Sequence, residues 1–284
     1  MLNTQQVILT LLTSLCAASF STSTALADDG GISFGGNPTL LTGHKSVSMK
    51  SEVIKMEIHK ESIKVDCLFV FHNDGPDATV RMGFPDRGEG AQIPYEGEPL
   101  PTKNLKATFT SYDSWVDGKK VPTKLIPTDD RSIFWHTKTV NFKANKDCVI
   151  RDVYTLPPGQ QVTTDNGMYY QTYYILHTAA SWKGAIGDAK IEVTFAPDSV
   201  KPPLVLKDRK QLKDQDLDHV GWPKQPAGVV FYEAPCVPTV KGSTITFVKS
   251  NLRPTKKDDI HLFYGYRTLP PLIIPGQNVP PPNN

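Results

Sequence analysis

The sequence predicts an all-β protein, arranged as two Ig-like antiparallel β-sandwich domains in tandem behind a signal peptide. Short segments in which apolar and polar residues alternate recur at intervals of about 8–12 residues, as in sandwiches. Gly, Pro and Asn or Asp separate these segments, and no long amphipathic helix pattern interrupts them. The chain is 39% hydrophobic and 9% aromatic, which is enough to build a packed core and disfavours disorder.

Residues 1–27 are predicted to be a secretory signal peptide. They carry no charged side chain, and the apolar run Val7 to Phe20 leads to Ala25-Leu26-Ala27, a small-x-small cleavage site. The run is shorter than the roughly 20 apolar residues of a spanning helix. An uncleaved anchor is the alternative, because no basic residue precedes the run, and Leu15 before Cys16 disfavours a lipoprotein signal. We expect an extracytoplasmic chain, periplasmic or secreted, without stable membrane insertion.

The first predicted sandwich covers residues 28–160. Segment 61–72 alternates strictly, and its second face becomes apolar only near Leu68 and Val70, which predicts a strand that passes from half-buried to fully buried. A polar turn then leads to 79–84, so the two segments are predicted to form a hairpin. Segment 46–59 fits two strand stretches if a bulge lies near Lys50-Ser51. Asp117-Gly118 is typical of a tight hairpin turn.

The remaining predicted elements are assigned in the same way. Further strands of the first sandwich are expected at 105–111, 114–117, 120–126, 132–142 and 147–155, with an irregular loop at 85–104. The second sandwich, 161–267, is expected to contain strands at 168–178, 189–196, 203–207, 228–233, 243–249 and 259–266. The charged segment 207–219 predicts one helical turn or a solvated loop. Residues 268–284 form a Pro-rich tail that is expected to be disordered.

Three cysteines remain after the leader, at Cys67, Cys148 and Cys236. An odd number in an oxidising compartment predicts one disulfide and one free thiol. Cys67 and Cys148 lie in strands of the same predicted domain, so they are the expected pair. Three buried reduced thiols are the alternative, because a free cysteine packs as a small hydrophobe.

A series of short sequence landmarks runs through the chain. In order they are Asp29-Gly30, Val47-Ser48-Met49 with Glu52, Val65 to Phe71, Asn73, Phe84-Pro85, Tyr154, Tyr174-Ile175-Leu176, Trp182, Ile186, Phe247, Asn251, Pro254 and Ile260 to Tyr264. This order resembles the bacterial domain-of-unknown-function 4424 family over most of the mature chain. The resemblance implies an exported protein of β-sandwich domains, and it implies no activity or site residue. Asp86 departs from the family pattern, which has an apolar or Pro-containing continuation there.

The composition and motifs exclude several function classes. The net charge of +2 is spread along the chain, so no basic patch predicts nucleic-acid binding. Phosphate-binding loops, C-x-x-C and zinc spacings are all missing from the sequence. We therefore predict no catalytic, cofactor-binding or metal-binding residue, no cofactor and no enzyme activity. None of the seven histidines lies in a zinc-binding spacing; they are His44, His59, His72, His136, His177, His219 and His261.

Two strings have the composition of a site, but both have a simpler structural interpretation. Asp214-x-Asp216-x-Asp218 offers calcium-like oxygens, but it lacks the Gly and Glu of an EF-hand loop and follows several basic residues. A solvated charged loop is the favoured interpretation.

The second string is an aromatic cluster. Tyr169 and Tyr173 are predicted on one face of a strand, with Tyr170 and Tyr174 on the other and Trp182 nearby. A core or interdomain position is favoured over a carbohydrate or peptide platform.

These observations together predict a non-catalytic exported module that binds an envelope protein or polymer. A secreted hydrolase whose site is assembled from scattered residues, and a purely structural envelope component, are the alternatives.

Overall fold

The computed structural model describes residues 30–31, 34–36, 38–40, 45–86, 107–127, 134–162, 167–213 and 228–268. Nearly all of their regular structure is β. The strands are β1 Gly30–Gly31, β2 Phe34–Gly36, β3 Thr39–Leu40, β4 Val47–Ile58, β5 Ile63–Asn73, β6 Ala78–Asp86, β7 Ser111–Val116, β8 Lys119–Val121, β9 Lys124–Pro127, β10 Phe134–Phe142, β11 Lys146–Leu156, β12 Gly159–Val162, β13 Gly167–Ile175, β14 Ile186–Phe195, β15 Val205–Asp208, β16 Val229–Glu233, β17 Thr239–Lys241, β18 Thr244–Leu252 and β19 Ile260–Thr268. Short 3₁₀ turns occupy His177–Ser181, Arg209–Gln211 and Lys256–Asp258.

The strands form three sheets. The largest has eight strands in the order β17-β18-β14-β4-β5-β11-β7-β8, and the smallest has four in the order β3-β6-β10-β9. The third has seven, in the order β1-β12-β13-β19-β16-β15, with β2 added alongside β13. Most pairs are antiparallel, whereas β14 pairs with β4, β13 with β2 and β15 with β16 in parallel.

One core lies between the eight-stranded sheet and the two smaller sheets. Phe84 of the four-stranded sheet contacts Tyr154 of the eight-stranded sheet, with ring centroids 5.2 Å apart. Tyr264 of the seven-stranded sheet contacts Phe195 of the same large sheet at 5.3 Å. All four of these rings are buried and belong to a single cluster of buried apolar residues that draws on both halves of the chain. The molecule is therefore a sandwich of two layers. One layer is the continuous eight-stranded sheet, and the other is divided between the four-stranded and the seven-stranded sheets.

The predicted pair of tandem Ig-like sandwiches is not confirmed by this arrangement. The eight-stranded sheet joins β4, from the first half, to β14, from the second, over eight residues from Ser51–Asp188 to Ile58–Phe195. The expected boundary at residues 160/161 lies inside β12, which pairs with both β1 and β13. Alternation of apolar residues locates strands but carries no information on which distant strand completes a sheet, and this explains the difference.

Two local predictions are confirmed by the backbone. The pairing of β4 with β5 shifts register between Met49 and Ser51, at the predicted bulge. Asp117 and Gly118 have φ values of 48° and 75° and join β7 to β8, so the predicted hairpin turn is present. Positive φ at both central positions is the requirement of a type I′ turn.

The predicted hairpin of segments 61–72 and 79–84 is wrong. β5 pairs with β4 and β11 in the eight-stranded sheet, whereas β6 pairs with β3 and β10 in the four-stranded sheet. Buried Asn73 directs this change of sheet. Its amide nitrogen donates to the carbonyls of Pro76 and Phe142, and its Oδ1 accepts from Gly75 N and from the hydroxyl of Ser46.

Several predicted boundaries also change. Segment 120–126 is two strands, β8 and β9, that belong to different sheets and turn the corner at Pro122-Thr123. Residues 107–110 are not strand, so the strand predicted at 105–111 retains only Ser111 among the described residues. The charged segment begins at the end of β15, and a single helical turn, one of the two alternatives predicted, follows at Arg209–Gln211. The predicted signal peptide at 1–27, most of loop 85–104 and nearly all of the tail lie outside the described residues.

The predicted disulfide between Cys67 and Cys148 is wrong, because both residues are free. Cys67 lies opposite Asp152 on the neighbouring strand, while Cys148 lies opposite Phe71. The two cysteines are therefore offset by four residues along adjacent strands, roughly 13 Å at the rise of a strand. A disulfide requires Cα atoms within about 7 Å, so the pair cannot form without moving the backbone.

Thiol labelling should distinguish the three cysteines. Burial raises the pKa of Cys67 well above its usual value, with Asp152 as the next cause, and burial raises the pKa of Cys148 to about 12. Cys236 is only half-buried. We expect the folded chain expressed without residues 1–27 to take up one maleimide and the denatured chain three, as measured by mass. Cys236→Ser should abolish the rapid label, and rapid modification of Cys67 in the folded chain would contradict this packing.

Candidate binding surface

The outer face of the eight-stranded sheet is open to solvent and carries an apolar row at its centre. Trp115, Arg151, Leu68 and Val53 lie opposite one another on β7, β11, β5 and β4. Leu68 is 39% exposed, and Trp115 and Val53 are partly exposed. We call this row the open-face row.

A second apolar pair lies beside this row. Val149 and Val70 are paired across β11 and β5, two residues along from Arg151 and Leu68. Val149 is 38% exposed and Val70 is half-buried. The expectation that β5 becomes fully buried near its end is therefore wrong. The face of β5 that becomes apolar, at Leu68 and Val70, is the solvent-exposed face of the sheet. These residues therefore enlarge the exposed apolar patch and not the core.

Arg151 is held in a fixed position within the open-face row. Its Nε and Nη2 donate to the two carboxylate oxygens of Asp66 at 2.8 and 2.7 Å. The hydrogen bond to Asp66 raises the pKa of Arg151 further. The guanidinium carbon lies 5.3 Å from the centroid of the Trp115 ring, and Lys120 Nζ lies 5.8 Å from it. A bidentate pair with a stacked ring holds a tryptophan and an arginine in a preformed arrangement.

The polar surroundings of the row form a shallow depression of about 500 Å³. Lys55, Glu57, Lys64, Asp66 and Glu192 contribute charges of both signs to its lining. Because the depression is wide and open, it does not enclose a small molecule as a typical ligand pocket does. The open face is therefore suited to a large, flat partner.

The edges of the eight-stranded sheet are short. Each end of the sheet is a three-residue strand, Lys119–Val121 at one side and Thr239–Lys241 at the other. Short edge strands with lysines disfavour the addition of a strand from another chain. Assembly through strand addition is therefore not favoured at this sheet, and its face remains the better contact surface.

The tyrosines of β13 occupy the two faces predicted for them. Tyr174 is fully buried in the main core, and Tyr170 packs against that core beside Tyr264, with centroids 6.0 Å apart. Tyr169 is buried on the other side, in a small cluster with Phe231 and Phe263. Most of this aromatic surface is packed and does not form an exposed platform.

His261 joins the small outer cluster of the seven-stranded sheet. Its ring lies 3.9 Å from the Phe263 ring and 4.7 Å from Tyr173, and Nε2 is 3.1 Å from Gln171 Oε1. The guanidinium carbon of Arg209 lies 4.9 Å from the Phe263 centroid. Burial, followed by the positive charge of Arg209, lowers the pKa of His261 from 6.5 to about 3. The ring is therefore neutral, with Nε2 able to donate to Gln171.

Acid should weaken the protein through His261. The unfolded chain takes up a proton near pH 6.5, whereas the folded ring stays neutral down to about pH 3. The unfolded state thus binds more protons in this window, and stability decreases as the pH falls from 6.5 to 3, by up to about 1.4 kcal/mol per pH unit.

The variant His261→Gln isolates this effect. We expect wild-type protein to lose more unfolding free energy than His261→Gln between pH 7 and pH 4.5, measured by urea denaturation. His72→Gln is the control, because that ring is one-third exposed. If the free energy of unfolding of wild type and of His261→Gln changed equally with pH, the lowered pKa assigned to His261 would be wrong.

The remaining histidines considered from the sequence do not converge on one site. His72, His136 and His177 each pair with a different aspartate, respectively Asp147, Asp86 and Asp259. His59, directly after β4, lies between Glu57 and Asp198. His44, His219 and the acidic string Asp214, Asp216 and Asp218 lie outside the described residues. Among the described residues, no group of three or more His, Cys, Asp or Glu is placed to hold a metal ion.

Two polar pairs lie inside the sandwich, where the sequence analysis did not place a site. Asp86 accepts hydrogen bonds from the backbone nitrogens of Thr108 and Phe109 and lies 2.8 Å from His136 Nε2. Lys138 and Asp152 form a buried ion pair. The alternation carries part of this signal, because Lys138 falls at the inward positions of β10 with Val140 and Phe142, and Asp152 at those of β11 with Ile150 and Tyr154.

Comparisons with known proteins bear on the fold. The chain matches no family model and no curated protein. It is similar to a solved structure from Legionella pneumophila, a protein provisionally named as a nutrient binding protein, with a TM-score of 0.56 and 16% identity. The match covers 83% of this chain and 72% of the other. At this identity the likeness shows a shared fold.

Two other similar structures are those of enzymes. An M1 zinc metallopeptidase from Deinococcus radiodurans gives a TM-score of 0.34 at 7% identity over 78% of this chain and 43% of that one. Leukotriene A4 hydrolase from Saccharomyces cerevisiae gives 0.38 at 8% identity over 79% and 30%. This chain thus spans less than half the length of either enzyme, and likeness at this level identifies no activity. Within the described part of the chain, no helix is both long and apolar enough to cross a membrane.

Proposed function

We propose that this protein is a non-catalytic binding protein of the cell envelope that contacts a partner protein through the open-face row. The charge-free apolar leader and the resemblance to the domain-of-unknown-function 4424 family support an extracytoplasmic location. The observation that carries the proposal is the placement of Trp115, Leu68 and Val53 on the solvent side of a sheet.

A protein partner fits this surface better than a glycan. Tryptophan and arginine are the residue types enriched at the energetic centres of protein interfaces, and here they are stacked and surrounded by aliphatic side chains. Carbohydrate platforms rely on several exposed aromatic rings, whereas the open-face row contains one. The mixed charges around the row complement a partner of mixed charge and would fix its register.

The test begins with capture of partners from envelope extracts on immobilised mature protein. Any retained protein is then titrated against wild type, Trp115→Ala and Leu68→Lys. We expect Trp115→Ala to cost about 2 kcal/mol or more, which is roughly a thirtyfold loss of affinity. Leu68→Lys should have a similar effect, because it places a charge in the apolar centre.

Val237→Lys is the matched control. Val237 is 76% exposed and precedes β17, so it lies outside the open-face row. We expect this variant to bind as wild type does. Equal binding by Trp115→Ala, Leu68→Lys and wild type would contradict the proposed surface. Turnover of a glycan or peptide panel by the mature protein would contradict the non-catalytic role and support the hydrolase.

A further inference from the structure

Lys138 and Asp152 meet at the centre of the sandwich. Lys138 Nζ lies 2.5 Å from Oδ1 and 2.7 Å from Oδ2 of Asp152, and it donates to Ser114 Oγ at 2.8 Å. The side chains are 2% and 0% exposed, respectively. Lys138 extends from β10 of the four-stranded sheet, and Asp152 from β11 of the eight-stranded sheet. An amine and a carboxyl group are therefore held in contact between two different sheets.

Because both side chains are buried, a simple ion pair carries a high desolvation free energy at this position. Asp152 has Cys67 and Ser114 as its cross-strand partners, and Lys138 has Met82. Taking two charges out of water costs several kcal/mol per ion, and such pairs are often no more stabilising than apolar residues of similar volume. A change that removed both charges while keeping the side chains in place would relieve this cost.

We propose that Lys138 and Asp152 condense into an intramolecular amide that ties the four-stranded sheet to the eight-stranded sheet. The hydrogen bonds from Nζ to the carboxylate give the proton a direct path to it. The neutral amine then attacks Cγ, a C–N bond forms and one C–O bond breaks. The departing oxygen leaves as water with two protons, one from the carboxyl group and one from the amine. Atoms and charges balance, and no oxidant or reductant is required.

The site supplies the conditions for this reaction. Holding the two groups in contact replaces a bimolecular encounter by an intramolecular one, which can contribute about 7–11 kcal/mol towards the barrier. The packed core excludes bulk water. Hydrolysis of the amide, which is the reverse reaction, needs water and is therefore disfavoured.

Tyr112 provides a hydrogen-bond donor close to the reacting carboxyl group. Its hydroxyl is buried and interacts with the Asp152 carboxyl group. Burial, followed by the charge of Asp152, raises the pKa of Tyr112 well above its usual value. The phenol therefore stays protonated and can donate to the carboxyl oxygen as negative charge develops on it.

Mass spectrometry of the folded wild-type protein tests the amide directly. We expect an intact mass below that of its sequence by one water molecule, and a digest in which the peptides carrying Lys138 and Asp152 are joined. Lys138→Arg and Asp152→Ala should show their full sequence masses. Asp152→Asn should lose ammonia instead and reach the same mass as cross-linked wild type. When chain that has its full mass, recovered unfolded, is first allowed to fold, Tyr112→Phe should lose water more slowly than wild type.

The result that would overturn the proposal is equally direct. Wild-type protein that is folded by circular dichroism, has its full sequence mass and yields separate peptides would show that the pair remains ionic. Because the primary measurement uses the wild-type chain, it does not depend on whether any variant folds. It is also independent of the proposed partner, since the pair lies inside the core and the open-face row lies on the opposite side of the sheet.

Discussion

Asp152→Ala is expected to lower the free energy of unfolding by about 3–5 kcal/mol, because it leaves the buried ammonium of Lys138 without its partner. The loss is expected whether the two side chains form an ion pair or an amide, since alanine removes both. Urea denaturation followed by tryptophan fluorescence at neutral pH gives the measurement. A variant that does not fold at all would be seen by circular dichroism and would agree in direction with the prediction.

Asp66→Ala is the matched control for this prediction. Asp66 also pairs with a basic residue across β5 and β11, but Arg151 and Asp66 lie on the outer face and are 48% and 40% exposed. Exposed pairs contribute about 0–1 kcal/mol, so we expect a loss below about 1 kcal/mol. If the two alanine variants lost similar amounts of stability, the buried position assigned to Asp152 would be wrong.

Phe71→Ala is the second substitution with a large expected effect, again about 3–5 kcal/mol. Phe71 is fully buried, and its ring centroid lies 4.5 Å from that of Trp182 and 5.8 Å from that of Phe142. Trp182 follows β13 in the second half of the chain, so the cavity would open between the two halves. Val70→Ala, one residue away on the outer face, should cost less than about 1 kcal/mol. If Phe71→Ala and Val70→Ala lowered the free energy of unfolding equally, the placement of Phe71 in the core and Val70 on the outer face would be wrong.

The alternation of residues was sufficient to locate most strands, the bulge before Ser51 and the turn at Asp117-Gly118, because each depends on a few neighbouring residues. The order of the strands within the sheets could not be predicted from such local patterns, because it depends on pairing between distant segments. The parallel junction of β4 and β14 brings Gly187 so close to β4 that an added Cβ would lie 2.2 Å from the carbonyl oxygen of Lys50. Sequence alone does not show which distant backbone approaches a glycine.

The candidate surface is partly visible in the sequence, but the pattern predicts the opposite placement. Leu68 and Val70 are apolar residues on the second face of β5, and such a change usually indicates deeper burial. The structure shows that this face is exposed. Deciding between the two cases needs the arrangement of all the sheets. The Lys138–Asp152 pair has a clearer signal, because each charged residue falls at the inward positions of a strand whose other inward positions are mostly apolar.

The central claim is that the two halves of the chain form one sandwich through the β4–β14 junction. Residue-resolved hydrogen exchange of wild type and Phe71→Ala tests it most directly. We predict that amides of β18, in the second half, lose as much protection as amides of β11, in the first, because both belong to one cooperative unit. Loss of protection confined to the first half, with β18 unchanged, would contradict the claim and restore two independent domains.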